Sequence, residues 1–260
     1  MIAASAWRLI LDEPQSGGVN MAVDAALVTS VESGSSSTPV LRIYGWSEPT
    51  VSIGRYQDAA ALEGRGLPVV RRVTGGRAVI HAAELTYSIV SPSEHPLFRE
   101  GIIGAYRVIS NCIIGALGKA GVKADLAAAV KKTTPGEKAK AACFYSPSRY
   151  EVTVGNRKLV GSAQRRFRTA FLQHGSILFT VDRGLHEAVF GQQAASELMD
   201  RMTGLSEHAD IDITDFSNTL VRGFESGLCA EFTPSRLSEA EEYIKTGLLA
   251  GGDGVAVDAA

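Results

Sequence analysis

Apolar and polar residues alternate over residues 6–12, which predicts a strand, and residues 14–18 break it. From Asn20 the period lengthens: Met21, Ala25, Val28 and Val31 recur at helical spacing, with Asn20 placed as an N-cap. This reads as a core-packing helix. A polar loop over 33–38 leads to strands at 39–46 and 50–53. Gln57 and Asp58 open a short helix to residue 63, and residues 68–72 form a strand. Residues 85–90 form another strand. The following P-S-E-H-P loop puts His95 at the surface. Residues 98–120 carry the clearest helical stripe, through Ile102, Ile103, Tyr106, Ile109, Ile113 and Leu117, and Gly121 ends it. A strand over 122–126 and a lysine-rich exposed loop over 131–140 come next. Residues 150–154 and 158–164 alternate around Gly155-Asn156 and predict a hairpin. Residues 171–180 form a strand whose Gly175 marks a bulge or a close backbone approach. Beyond residue 182 the pattern is helical, over 182–190, 193–202, 215–232 and 239–249, with Thr214 and Ser238 as N-caps. In the third of these, Leu220, Phe224, Leu228 and Phe232 make a stripe that puts Cys229 at the border of the core. Strands before residue 180 and helices after it, with long helices interspersed, give an α+β pattern.

Composition narrows the class. The chain has 260 residues, 45% of them hydrophobic, enough for a sizeable core without disulfide or metal staples. A formal charge of −2 supplies no global pull toward nucleic acid or membrane. Cys112, Cys143 and Cys229 are odd in number and widely spaced, with neither a CxxC nor a metal-ligand spacing. Free thiols in a reducing cytosol fit this usage. The N-terminal residues lack a signal-peptide pattern, and no apolar run reaches the roughly 18 residues of a membrane span. The expectation is a cytoplasmic protein with no resident metal.

Candidate chemistry gathers around Arg71-Arg72-Val73-Thr74-Gly75-Gly76-Arg77. A diglycine between β-prone runs is a common hairpin turn. Three guanidiniums beside close-approaching backbone donors also suit a phosphate or carboxylate. Arg55 belongs either to a solvated loop or to the same pocket. Cys143 follows the lysine-rich loop and precedes Phe144-Tyr145. A nearby cation such as Lys158 would favour its thiolate. Lys158 leads into Gly161, Ser162 and Ala163, three small residues that let a ligand lie close to the backbone, and His174 and Gly175 supply a further wall. Taken residue by residue, Cys143 also fits an incidental loop thiol, and Lys158 a solvated hairpin lysine.

The segment R-R-V-T-G-G-R-A-V-I-H, followed by E-L-T-Y-S, resembles the signature loop of the lipoate-protein ligase A superfamily. N-M-A-V-D-A-A-L resembles that family's N-terminal helix, and R-K-L-V-G-S-A-Q-R-R and L-Q-H-G-S-I-L resemble its central strands. The resemblance runs from about residue 7 to residue 180. It implies the biotin/lipoate protein ligase catalytic fold, a mixed sheet with flanking helices akin to class II synthetase cores. With only about 80 residues after Thr180, it implies a single catalytic domain over 1–260, helical over about 182–250, without a separate accessory domain. A-C-F-x-x-P-S-x-Y-E resembles the cysteine-dependent octanoyltransferase subgroup. On that likeness Cys143 is the acyl-thioester nucleophile and Lys158 lowers its pKa. Arg72, Arg77 and His81 shape the acyl and phosphopantetheine end. Gly75, Gly76 and Ala78, with Gly161, Ser162, Ala163, His174 and Gly175, line the substrate site. Octanoyl-acyl carrier protein is the implied donor. A lipoyl-domain protein, either glycine cleavage H protein or a 2-oxoacid dehydrogenase E2, is the implied acceptor, and no cofactor is needed. The alternatives are an ATP-dependent lipoate ligase using Mg²⁺ and an acyl-adenylate, an amidotransferase moving octanoyl between lipoyl domains, and a non-catalytic binding protein.

Overall fold

The computed structural model describes residues 5–60, 62, 64–127 and 151–251. Its elements are β1 (Ser5–Leu11), α1 (Gly17–Glu32), β2 (Val40–Tyr44), β3 (Thr50–Ile53), β4 (Val69–Arg71), β5 (Val79–His81), β6 (Glu84–Pro92), α2 (Pro96–Arg99), α3 (Gly101–Lys119), β7 (Asp125–Leu126), β8 (Val152–Val154), β9 (Arg157–Arg166), β10 (Ala170–Leu178), α4 (Arg183–Phe190), α5 (Gln192–Met199), α6 (Ile213–Leu228), β11 (Ala230–Pro234) and α7 (Glu239–Ala250).

Period-two alternation sorts the strand side chains onto two covered faces. Leu41, Ile43, Tyr87, Ile89 and Phe171 join α3 and α6 in one core, whereas Val40, Tyr44, Val90 and Leu172 join α1 in another. A strand buried on both sides reads as a near-continuous apolar run, and V-L-R-I-Y of β2 is buried at every position. The strands follow the order β11-β1-β2-β6-β10-β9-β8-β7. β1 pairs in parallel with β2 and β11, and the remaining neighbours pair antiparallel. The result is the expected α+β architecture, a mixed sheet with flanking helices. A second, three-stranded sheet has the order β4-β3-β5.

Several elements differ from the pattern-based reading, each for an identifiable reason. α1 begins at Gly17 with Ser16 as N-cap, so Asn20 is interior. Its amide donates to the Gly45 carbonyl at 2.9 Å and accepts from Arg42 at 2.8 Å. Residues 57–60 form turns rather than a helix start: Gln57 accepts from the Gly54 N–H and Asp58 from that of Ala60. The long helix is split before Gly101, whose φ of +73° suits glycine. In α3, Ile109, Ile113 and Leu117 are buried, but Ile102 and Ile103 are 60% and 54% exposed, so the stripe does not reach the first turn. His95 is half-buried, packed edge-on against Trp7 at 5.1 Å, not a free surface residue. α6 is capped by Asp212 rather than Thr214 and ends at Cys229, which takes the left-handed conformation and is exposed. The chain then extends as β11 along β1, where the periodicity had continued a helix. Ser238 caps α7 as expected.

Among the described helices, α3 is long and apolar enough to cross a membrane by composition. Its inward residues pack into the core that it shares with α6 and the large sheet.

Candidate active site

The small sheet stands over the α1 face of the large one, and a slot opens between them. It holds about 380 Å³ of empty space, its open mouth included. Its walls come from Met21 on α1, Tyr44, Trp46, Ser52, Val79 and Thr86, together with Arg72, His81, Gly161, Ser162, Ala163, His174, Gly175 and Ser176. Seven residues singled out from the sequence are thereby brought to one place, although they span more than 100 positions.

The slot presents mostly apolar surface despite its polar lining, because the polar atoms engage one another. His81 sits in one such chain. Its Nε2 meets Ser52 Oγ and its Nδ1 meets Glu84 Oε1, each at 2.7 Å. The same carboxylate oxygen accepts from Thr86 and Ser176. Trp46 stacks on the His81 ring with centroids 3.8 Å apart and donates its indole N–H to Thr86. His174 sits in a second chain of the same order. Its Nε2 meets Thr74 Oγ1 at 2.7 Å and its Nδ1 meets Asp24 Oδ2 at 2.9 Å. Asp24 also accepts from Arg42, Tyr44 and Ser88. Burial alone would raise the Asp24 pKa, but the hydrogen bond to His174 and the Arg42 charge outweigh it and hold the carboxyl below its usual range. Burial and the Asp24 charge push the Tyr44 phenol well above its usual range, so it remains a donor.

The diglycine segment is not a hairpin turn. β4 and β5 flank the same strand, β3, one in parallel and the other antiparallel, so the connecting loop crosses from one side of β3 to the other. Gly76 has φ +102°. Gly54 lies so close beneath that a Cβ there would meet the Gly75 and Gly76 backbone. Arg72 is buried and acts as an internal strut: it donates to the carbonyls of Ser52 at 2.9 Å, Gly75 at 3.0 Å and Arg77 at 2.7 Å. Arg71 likewise donates to the carbonyls of Gly54 and Gln57. Arg72 thus braces the diglycine loop and Arg71 the segment that follows β3, where the sequence had suggested a cluster turned toward an anion. Arg77 is exposed, and Ala78 packs into a satellite cluster with Val51, Ile53 and Val189 rather than into the slot.

Gly175 lies in an unbroken antiparallel register, so close approach, not a bulge, explains it. A Cβ there would meet Ser162 Oγ, Gly161 O at 2.8 Å and Tyr87 Cε1 at 2.9 Å. Lys158, at the start of β9, is buried with its Nζ 2.6 Å from Glu151 Oε1. Cys143 and the lysine-rich segment lie outside the described residues.

The residues missed by sequence reasoning include Trp46 and Ser52 in the slot wall, Asp24 and Glu84 behind it, and Glu151 against Lys158. A usable signal existed for Asp24, a carboxylate within an otherwise apolar helix, since a buried charge requires partners.

The chain matches the lipoyl protein ligase A/B catalytic domain over residues 16–225. It is 38% identical over 255 residues to the octanoyltransferase LipM of Moorella thermoacetica, covering 92% of each chain. It is 35% identical over 264 residues to that of Brevibacillus brevis, covering 92% of this chain and 95% of the relative. A crystal structure of lipoate-protein ligase A bound with ATP aligns with TM-score 0.76 and 25% identity, over 94% of each chain. A bipartite lipoate protein ligase of Thermoplasma acidophilum, studied with its E2 lipoyl domain, aligns with TM-score 0.75 and 25% identity over 95% of this chain and 92% of that one. With more than half of its length matched by one catalytic domain and relatives above 30% identity along nearly all of it, the chain belongs to the lipoyl protein ligase A/B catalytic-domain family.

Proposed function

We propose that the protein is an octanoyltransferase of protein lipoylation, moving an octanoyl group from acyl carrier protein to a lysine of a lipoyl domain. The observation that carries the reading is a slot whose polar groups are internally engaged, leaving apolar walls suited to a saturated chain, in a protein whose curated relatives are octanoyltransferases. Cys143 is the nucleophile. Its thiolate attacks the donor thioester carbonyl, forming the enzyme thioester and releasing the phosphopantetheine thiolate, which takes up a proton. The neutral acceptor amine then attacks the enzyme thioester, forms the amide, returns the sulfur to Cys143 and loses its extra proton to solvent. Thioester exchange is nearly isoenergetic and amide formation is downhill, so this route uses no nucleotide. Lys158 supports the thiolate, and backbone donors of the Gly75-Gly76 loop or of the Gly161 strand hold the oxyanion. His81, Arg72 and Arg77 shape the donor end, and the acceptor is a glycine cleavage H protein or a 2-oxoacid dehydrogenase E2 domain.

Intact-protein mass spectrometry with octanoyl-acyl carrier protein tests this. The wild type gains one octanoyl group, and Cys143→Ala and Cys143→Ser gain none. Full transfer by Cys143→Ala overturns the mechanism.

A second reading draws on the ATP-bound ligase of similar fold. Under it, ATP and Mg²⁺ activate free lipoate, and Lys158 contacts the acyl phosphate. Pyrophosphate release on addition of ATP, Mg²⁺ and lipoate would favour the ligase.

A further inference from the structure

His174 lines the slot, yet both of its ring nitrogens are already engaged. Nδ1 is 2.9 Å from Asp24 Oδ2 and Nε2 is 2.7 Å from Thr74 Oγ1. The three side chains come from α1, from β10 and from the loop just before Gly75, and all are buried. Asp24 is 1% exposed and takes further hydrogen bonds from Arg42, Tyr44 and Ser88, so its position is fixed from several sides.

The order threonine, imidazole, carboxylate copies that of a hydrolytic triad. Thr74 has no exposed surface, so its hydroxyl cannot reach a substrate, and the chain must do something other than nucleophilic attack. An ionised carboxylate can only accept. Facing one, His174 in its neutral form carries its proton on Nδ1 and offers a bare Nε2. The Thr74 hydroxyl then donates to Nε2.

We propose that Asp24 is a positioning residue that sets the Nδ1–H tautomer of His174, and that through Thr74 this tautomer fixes the Gly75-Gly76 loop relative to the slot wall that His174 forms. His174 thus contributes its ring face to the ligand and its nitrogens to the loop. Of the two imidazole chains at the slot, this one reaches the loop itself. The Ser52–His81–Glu84 chain reaches it only by way of Arg72, which donates to Ser52 Oγ and to the Gly75 carbonyl.

The inference rests on the acyl-transfer reading for its kinetic consequence, but not for its spectroscopic one. The test uses the full chain, labelled with ¹⁵N in its histidines. In the wild type, His174 shows a protonated Nδ1 and a bare Nε2. Asp24→Asn keeps the shape and can turn an amide N–H toward Nδ1, which inverts the pattern. A wild-type His174 protonated on Nε2 alone, or an unchanged tautomer in Asp24→Asn, overturns the assignment. Because Asp24 also serves Arg42, the variant Thr74→Val supplies a second arm that leaves that ion pair intact. It keeps the Nδ1–H tautomer and loses only the tie to the loop. Both variants lower kcat/KM for octanoyl transfer by up to about 100-fold, the scale of a misplaced binding element, with the loss carried by KM for the acyl donor. An unchanged KM in a folded Thr74→Val protein overturns the positioning role. If the wild type instead consumes ATP and lipoate, the acyl-transfer reading fails, while the imidazole spectra still decide the role of Asp24 and the lipoate KM decides that of Thr74.

Discussion

Glu151 Oε1 lies 2.6 Å from Lys158 Nζ, and neither side chain is more than 2% exposed. Removing one member of such a pair takes away the opposite charge that compensates the other in a buried setting. Glu151→Ala should therefore destabilise the protein by roughly 3–5 kcal/mol, read as a lower urea midpoint. Replacing both members, as in Glu151→Leu with Lys158→Met, should restore most of that stability because both buried charges are gone. The double variant should nevertheless transfer no octanoyl group. Stability and activity would then separate, which distinguishes a lysine needed for chemistry from one needed only for folding.

Gly175→Ala should narrow the slot indirectly, by displacing the strands that wall it. The added methyl meets Gly161 O and the Tyr87 ring inside 3 Å, so the neighbours must shift. Overpacking of this kind costs about 1–3 kcal/mol. The loss of octanoyl transfer should be much larger than the small drop in melting temperature, and it should be worse for octanoyl than for a shorter acyl donor. Equal loss for both donors would argue against blockage of the slot.

The cysteines should react differently. Burial pushes the Cys112 thiol up to about 12, and Gly227 packs closely against its sulfur. Cys229 is exposed. In a Cys143→Ala background, a chromogenic disulfide reagent should label one thiol in the native protein, Cys229. Cys112 should appear only when denaturant is added. Peptide mapping identifies the labelled site.

Acid should weaken the fold in a predictable direction. Asp24 is held below the ordinary carboxylate range by His174 and Arg42 against the opposing effect of burial. Glu241 is lowered likewise by its hydrogen bonds from Arg8 and the Ser238 backbone, again against burial. Unfolded, such groups return to about 4. The unfolded chain then binds more protons as the pH drops, and stability falls with it. The contribution is complete above about pH 5 and is lost as the pH falls through the folded values. Urea midpoints measured from pH 6 down to pH 3 should decline, and Glu241→Gln should shallow the decline by removing one of the two groups.

The centre of the large sheet was legible in the sequence because β2, β6 and β10 are buried on both faces and stand out as apolar runs between turn residues. The diglycine segment was legible as a feature but not as a shape. Local propensity gives a hairpin, whereas the observed path depends on β3, which lies about twenty residues upstream. β11 was unreadable for a similar reason. A-E-F-T-P continues the helical stripe of α6 through Phe232, and only pairing with β1, more than two hundred residues away, draws it into a strand. Half of the slot lining was found, but the rest of it, Trp46 and Ser52 among them, and the groups behind it were not. Asp24, Glu84 and Ser52 act through hydrogen bonds across elements, and such pairing leaves no periodic trace.

The two legs of the diglycine loop are both stitched to β3, and Arg72 ties its carbonyls down from beneath. A hairpin tip could peel upward on its own. This loop has no loose end to peel, so it rides with the strand that carries it. Among the described residues, then, this loop is a fixed rim against which a flexible eight-carbon tail would be laid, not a flap that descends on it.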